Sequence, residues 1–299
     1  MKTTMPKRGK SKFQATKINP KRFHPVQIRY LAILLPVALV MLLPLIFIFN
    51  HAFKPFEELF AYPPTFFVKN ATLANFRNLF ALTGASGIPM SRYLFNSLVV
   101  TVLVIFISVI ISTMAGYALS KLHFKGKKTI NEINTIALMF VGVAVTIPRY
   151  LVIEKLGLID QFFIHVLPYL AVPVGLFLVK QFIDQIPNEL IDAARVDGAN
   201  DFQIYGQIIL PLIKPAIATI MILSFQTVWN SSDTSSTYIN SDSLKTFAFY
   251  MGTLTTNTNA VAGQGMAAAA SLIMFVPNLV IFIVMQSKVI DTMAHSGIK

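Results

Sequence analysis

Apolar residues come in long runs along this chain. Polar side chains are sparse from Tyr30 to Phe49, Leu94 to Leu119, Ile130 to Ile147, 162 to 183, Pro215 to Val228 and Met266 to Val289. About 20 such residues in a helix cross a hydrocarbon core of about 30 Å. The pattern predicts an all-α integral membrane protein with six transmembrane helices over about 30–49, 94–119, 130–147, 162–183, 215–228 and 266–289. Pro148-Arg149 ends the third span, and Pro168 and Pro173 kink the fourth, since each removes an intrahelical hydrogen bond. A basic tail precedes the first span over residues 1–27, and the span domain covers 28–299. Residues 50–93 form a long outer loop partly packed on the helix ends, and the Ser/Thr/Asn/Gly-rich stretch 234–265 forms a second.

One stretch fits neither class. Pro187 to Pro211 is too polar to span a membrane and too apolar for a linker. Pro187 suits a first helical turn, and Glu189 and Asp192 suit the positive end of the helix dipole. Gly198 sits where a helix stops in the left-handed conformation. Asn200 or Asp201 then caps a second helix, running to Leu210-Pro211. A helix, a glycine hinge and a second helix make a docking element at a membrane face; an ordinary amphipathic helix-turn-helix is the alternative.

The spacing within this stretch carries a resemblance. Asp192-Ala193-Ala194, Asp197-Gly198-Ala199, then Ile208, Leu210 and Pro211 resemble the "EAA" loop of ABC importer membrane subunits, with Asp192 in place of the usual Glu. Asn96-Ser97-Leu98, Ala115-Gly116-Tyr117-Ala118-Leu119, Phe124-Lys125-Gly126-Lys127 and the Met293–Lys299 tail resemble its carbohydrate branch, nearest the shorter six-span subunit of the maltose type. The resemblance implies a type I importer permease fold, with 187–211 as the coupling loop and Glu189, Asp192, Ala193, Ala194, Asp197, Gly198, Ala199, Leu210 and Pro211 as its ATPase-coupling residues. It implies as partners a second homologous permease, two cytoplasmic ATPase subunits that hold ATP and Mg, and an extracytoplasmic solute-binding protein. This chain itself is expected to bind no cofactor. The cargo implied is a sugar or oligosaccharide; a polyamine or phosphonate permease, or a docking or signalling subunit without transport, are the alternatives.

Composition agrees with the membrane reading: 55% of the 299 residues are hydrophobic, 13% are charged and the mean hydropathy is +0.63. A soluble domain carries about 25% charged residues. The net charge of +12 does not point to nucleic acid, because nine of the 25 Lys and Arg lie in the first 30 residues, where no acidic residue occurs. That is a positive-inside tail facing membrane lipid. With six spans both termini lie inside, and 18 of the 25 basic residues fall on that side. The location expected is a bacterial cell membrane.

Catalytic chemistry is poorly represented. The nearest approach to a phosphate-binding loop, Gly126-Lys127-Lys128-Thr129, has Lys121 where the first glycine belongs. Gly84-Ala85-Ser86-Gly87-Ile88 lacks the last glycine of a nucleophile elbow. His24, His51, His123, His165 and His295 stand singly, and the apolar runs carry no Asp or Glu apart from Glu132. Ion-coupled carriers place ionisable groups in the membrane, so energy is expected to arrive mechanically from a partner, and the chain is not expected to be an enzyme. Gln226, Trp229, Asn230 and Ser231 are the candidate substrate pathway, Trp229 stacking on a sugar. The alternative is that Trp229 is an interfacial residue and Asn230 a helix cap.

Overall fold

The computed structural model describes residues 25–81, 87–257 and 263–296. The basic tail up to His24, the stretch Gly84–Ser86 and Gly297–Lys299 lie outside them. Helices of eight residues or more are α1 Pro25–Phe53, α2 Ala74–Ala81, α3 Met90–Lys121, α4 Lys127–Ala137, α5 Thr146–Lys155, α6 Pro173–Asp184, α7 Asn188–Val196, α8 Lys214–Trp229, α9 Phe247–Asn257 and α10 Gln264–Ser296.

Three helices, Gln27–Phe53, Met90–Lys121 and Gln264–Gln286, are each long and apolar enough to cross a membrane. Three bent pairs raise the possible number of crossings to six: α4 with Gly142–Lys155 at 111°, Phe162–Tyr169 with α6 at 47°, and Asp201–Leu212 with α8 at 80°. The third expected span, 130–147, is therefore not one helix. It stops at Ala137 and restarts at Thr146, with Pro148 in the first turn of α5 rather than after the end of a span. A proline is tolerated in a first turn, where its missing N–H has no intrahelical partner. The fourth is broken rather than merely kinked, because Pro173 opens α6 and Pro168 lies in a short tight turn, Leu167–Tyr169.

α3 is the centre of the bundle, packed on one side against α6 and on another against α8; α8 also meets α10, which meets α1. Gly116 permits the α3–α6 approach, since a Cβ there would lie 2.5 Å from Val179 Cγ1. Small residues serve helix contact in membranes because no hydrophobic force separates protein from lipid. Ser108 and Ser224 share a hydrogen bond of 3.1 Å between α3 and α8. α1, by contrast, exposes Leu31, Ile33, Leu34, Val40 and Met41, which hydrocarbon solvates without cost.

The stretch 234–265, expected as a loop, contains α9. Phe247, Tyr250 and Leu254 of that helix are buried beside Leu79, Tyr93 and Ala269. Their spacing of three and four is a helical stripe, hidden in the sequence by Ser, Thr and Gly on both sides.

Candidate functional site

The 187–212 segment begins just beyond α6. Pro187 is extended (φ −58°, ψ 138°) and stands at the N-cap, one place before the first turn where the sequence suggested it. Glu189 lies in the first turn of α7, at the positive end of its dipole. At its end the Ala199 N–H donates to the Ala194 carbonyl at 2.9 Å and the Gly198 N–H to that of Arg195 at 3.0 Å. Gly198 there has φ +86°. This crossed pair of bonds is a Schellman stop, which needs the left-handed residue glycine supplies. Asn200 then caps the next helix through a capping box: its Oδ1 accepts from Gln203 N–H at 2.9 Å, and Gln203 Oε1 accepts from its own N–H at 2.8 Å.

That second helix runs on to Leu212 rather than ending at Leu210-Pro211, and it widens into a π-turn over Tyr205–Ile209. The Leu210 N–H donates to the Tyr205 carbonyl, five residues back. Pro211 has no N–H to return to Gln207, so the ladder changes register just ahead of it. The chain then turns by 80° about Ile213 into α8.

Three side chains of α3, one turn apart, hold this segment. Thr113 Oγ1 and Tyr205 OH are 2.7 Å apart. Tyr117 OH donates to Asp201 Oδ1 at 3.2 Å. Lys121 Nζ donates to the Ile186 carbonyl at 2.6 Å and to Asn188 Oδ1 at 2.8 Å. Arg195 also donates to Asp201 Oδ1 at 3.2 Å, so this carboxylate joins α3, α7 and the helix it opens. Asp201 in turn pushes the Arg195 guanidinium above its ordinary value. Beneath, Ile191, Ile204, Ile209 and Ile213 are buried with Tyr117, Val179 and Ile183.

Large apolar side chains of the segment are nonetheless open. Leu190, Val196 and Phe202 are 49%, 88% and 75% exposed. Of the residues singled out in the sequence, Ala194, Ala199 and Leu210 pack partly on the core. Glu189, Asp192, Ala193, Asp197, Gly198 and Pro211 are exposed. Thr113, Tyr117 and Lys121 escaped the sequence reading, although polar groups at i, i+4 and i+8 in an apolar run are a legible stripe.

The second candidate group divides. Trp229 is buried against Phe225, its ring 5.7 Å away, and its Nε1–H donates to the Met274 carbonyl at 3.0 Å. It braces α8 against α10, which leaves it neither the stacking face nor the interfacial position considered above. Asn230 is the C-cap of α8. Its side chain faces Asn278 of α10, the two amides exchanging bonds of 3.2 and 3.1 Å. Ser231 lies 2.8 Å from Tyr169 OH. Gln226 and Asn230 are exposed. Asn278, the amide partner, was not singled out.

Residues 28–287 match the model of the binding-protein-dependent transport system inner membrane component. The chain belongs to that family. Among its relatives is the inner membrane ABC transporter permease protein YcjP of Escherichia coli strain K12, 27% identical over 87% of this chain and 92% of that one. The arabinooligosaccharides transport system permease protein AraQ of Halalkalibacterium halodurans is 28% identical over 88% of this chain and 93% of its own length. A bacterial ABC transporter involved in the import of the acidic polysaccharide alginate has the same fold, with a TM-score of 0.76 and 22% identity over 89% of this chain and 99% of the matched one. Membership makes this chain a multi-pass inner-membrane component of a transport system.

Proposed function

We propose that the chain is the permease subunit of an ATP-driven importer for a sugar or oligosaccharide, and that 187–212 is where a cytoplasmic ATPase takes hold of it. The observation that carries this reading is a segment anchored yet apolar at its surface. It is fixed to α3 by Thr113, Tyr117 and Lys121, while Leu190, Val196 and Phe202 stay exposed on it, Phe202 beside the groove it lines with Met114, Tyr117 and Ala118. An apolar helix face with charged neighbours suits a cleft in a partner protein. The sugar reading is supported by relatives such as the arabinooligosaccharide permease.

In this reading both termini are cytoplasmic, a second permease completes the path, a binding protein delivers cargo outside, and ATP and Mg act on the partner subunits. When the ATPases close, each carries its docking segment along. The bonds to α3 pass that displacement to the centre of the bundle, which rocks between inward- and outward-facing arrangements. Gln226 and Asn230, exposed on α8, remain the pathway groups able to meet sugar hydroxyls; Ser231, with Tyr169, flanks them.

The test is reconstitution of the chain with its ATPase, second permease and binding protein in vesicles, following uptake of labelled oligosaccharides. Replacing Val196 and Phe202 by Ser should abolish ATP-driven uptake and co-purification of the ATPase while leaving membrane insertion intact. Uptake at the unaltered rate in that variant would remove the docking role.

A further inference from the structure

We infer that the end of the bundle bearing the 187–212 segment also holds a binding site for the phosphate of an anionic phospholipid, between the α3–α4 turn and α6. A cavity of about 580 Å³ opens there, lined by Ser120, Phe124, Lys127, Lys128, Asn131, Lys180 and Asp184. Asp184 accepts from Lys180 at 2.7 Å and from Ser120, so its charge is engaged by Lys180. Lys127 and Lys128 are left to give the cavity a net positive charge.

Lys127 spends two of its three N–H groups on the Ser120 and Leu122 carbonyls, at 3.1 and 3.0 Å. Those bonds fix its ammonium at the rim without neutralising it, since carbonyls carry no net charge. The Lys128 side chain is 91% exposed and lies 3.9 Å from that of Glu132, itself 59% exposed, a loose pair that an anion can share. α4 also opens at Gly126 (φ +90°) with no side-chain cap, so its first amides add to the positive field.

What favours a lipid over a free anion is the surface that continues from the cavity. Ile130, Ile133 and Ile136 are 47%, 59% and 54% exposed and follow one another at three-residue steps on α4. Phe124, 40% exposed, stands at the rim. With a headgroup phosphate on Lys127, the row Ile130, Ile133 and Ile136 that winds round α4 from that residue at three-residue steps offers the acyl chains an apolar track, with Lys128 flanking the phosphate. Basic pockets between membrane helices are suited to anionic headgroups for this reason.

The experiment is native mass spectrometry of the full-length chain in micelles, titrated with phosphatidylglycerol, phosphatidylcholine or inorganic phosphate. The wild type should retain phosphatidylglycerol over phosphatidylcholine, and inorganic phosphate should not displace it. Lys128→Gln should cut that preference about fivefold, the effect of one lysine at an anionic surface (~1 kcal/mol). Lys128→Gln with Lys127→Gln should cut it further. Lys69→Gln, in the 50–93 loop, should leave it unchanged and serves as the control. Equal retention of the two lipids, an undiminished preference in the double variant, or displacement by millimolar phosphate each overturns the lipid site.

Discussion

The two ends of this bundle solve opposite problems. Residues 230–246 are sewn into the helices by their own polar groups. Asn96 Nδ2 donates to the Ser243 and Lys245 carbonyls, each at 2.9 Å, and the Phe247 N–H to Ser97 Oγ at 2.8 Å. Asp160 (φ +60°) accepts from the Asn240 and Ser241 amides at 2.9 and 2.8 Å and from the Ser241 hydroxyl at 2.6 Å. At the other end, 187–212 is tied to α3 by a few polar groups and leaves Leu190, Val196 and Phe202 exposed. An end tied down by many bonds of its own can be a scaffold; an end that leaves large apolar side chains exposed invites a partner. In the reading proposed above, the exposed apolar surface of 187–212 is the moving contact and the stitched end the fixed one.

Four changes break or sharpen that contrast. The largest effect is expected at the stitched end: Trp229→Ala removes a buried ring and the bond its Nε1–H gives to the Met274 carbonyl, which Asn278 Nδ2 still reaches at 2.9 Å, at a cost of about 3 kcal/mol. A thermal melt of the purified protein should record it, and an unshifted melting temperature would show that α8 and α10 do not depend on this brace. Next is Gly198→Val. Open space surrounds that position, so the penalty is the left-handed backbone alone, about 1–2 kcal/mol. Uptake should fall with membrane insertion preserved, while Gly198→Asn, which tolerates that backbone, keeps most of it. If Val and Asn behave alike, the backbone at Gly198 is not what shapes the segment.

Smaller again is Tyr117→Phe, which deletes the hydroxyl on Asp201, a half-exposed carboxylate, for about 1 kcal/mol. It should weaken the coupling of ATP hydrolysis to uptake more than hydrolysis itself, and should add little in an Asp201→Asn background. The smallest change is acid. The Ser241 hydroxyl and the Ser241 and Asn240 amides hold the Asp160 carboxyl below its ordinary 3.8. Its contribution is thus complete above that value and lost as pH falls through the lower folded one. Melting temperatures of wild type and Asp160→Asn, measured as the pH is lowered from about 4 past the depressed value of the folded state, should converge. Parallel curves would mean that the charge is immaterial.

Legibility in the sequence follows the same division. Hydropathy alone located α1, α3 and α10, and Gly198 followed by Asn200 or Asp201 announced the turn within 187–212; that Gln203 completes the cap on Asn200 shows only in the structure. The break after Ala137 was hidden, since Leu138, Met139, Phe140 and Val141 are as apolar as the helix they interrupt; only Pro148, read as an ending, was in truth a beginning. α9 was masked by its polar flanks. Trp229 misled because an aromatic near polar residues suggests a ligand face, and only its burial reveals a bracing role. The stripe Thr113–Tyr117–Lys121 was visible, but its meaning depends on what lies opposite.

The corner at Ile213 has a mechanical consequence. A straight helix would pass a push at its inner tip along its own axis, and the bundle would simply slide. Here the arm Asp201–Leu212 meets the shaft α8 at 80°, with the buried Ile209, Ile213, Ala216 and Ile220 wedged into the angle. Such a joint is a crank: force applied sideways at the arm reaches the shaft as torque, so a short stroke at the membrane surface can turn a helix that never leaves its depth.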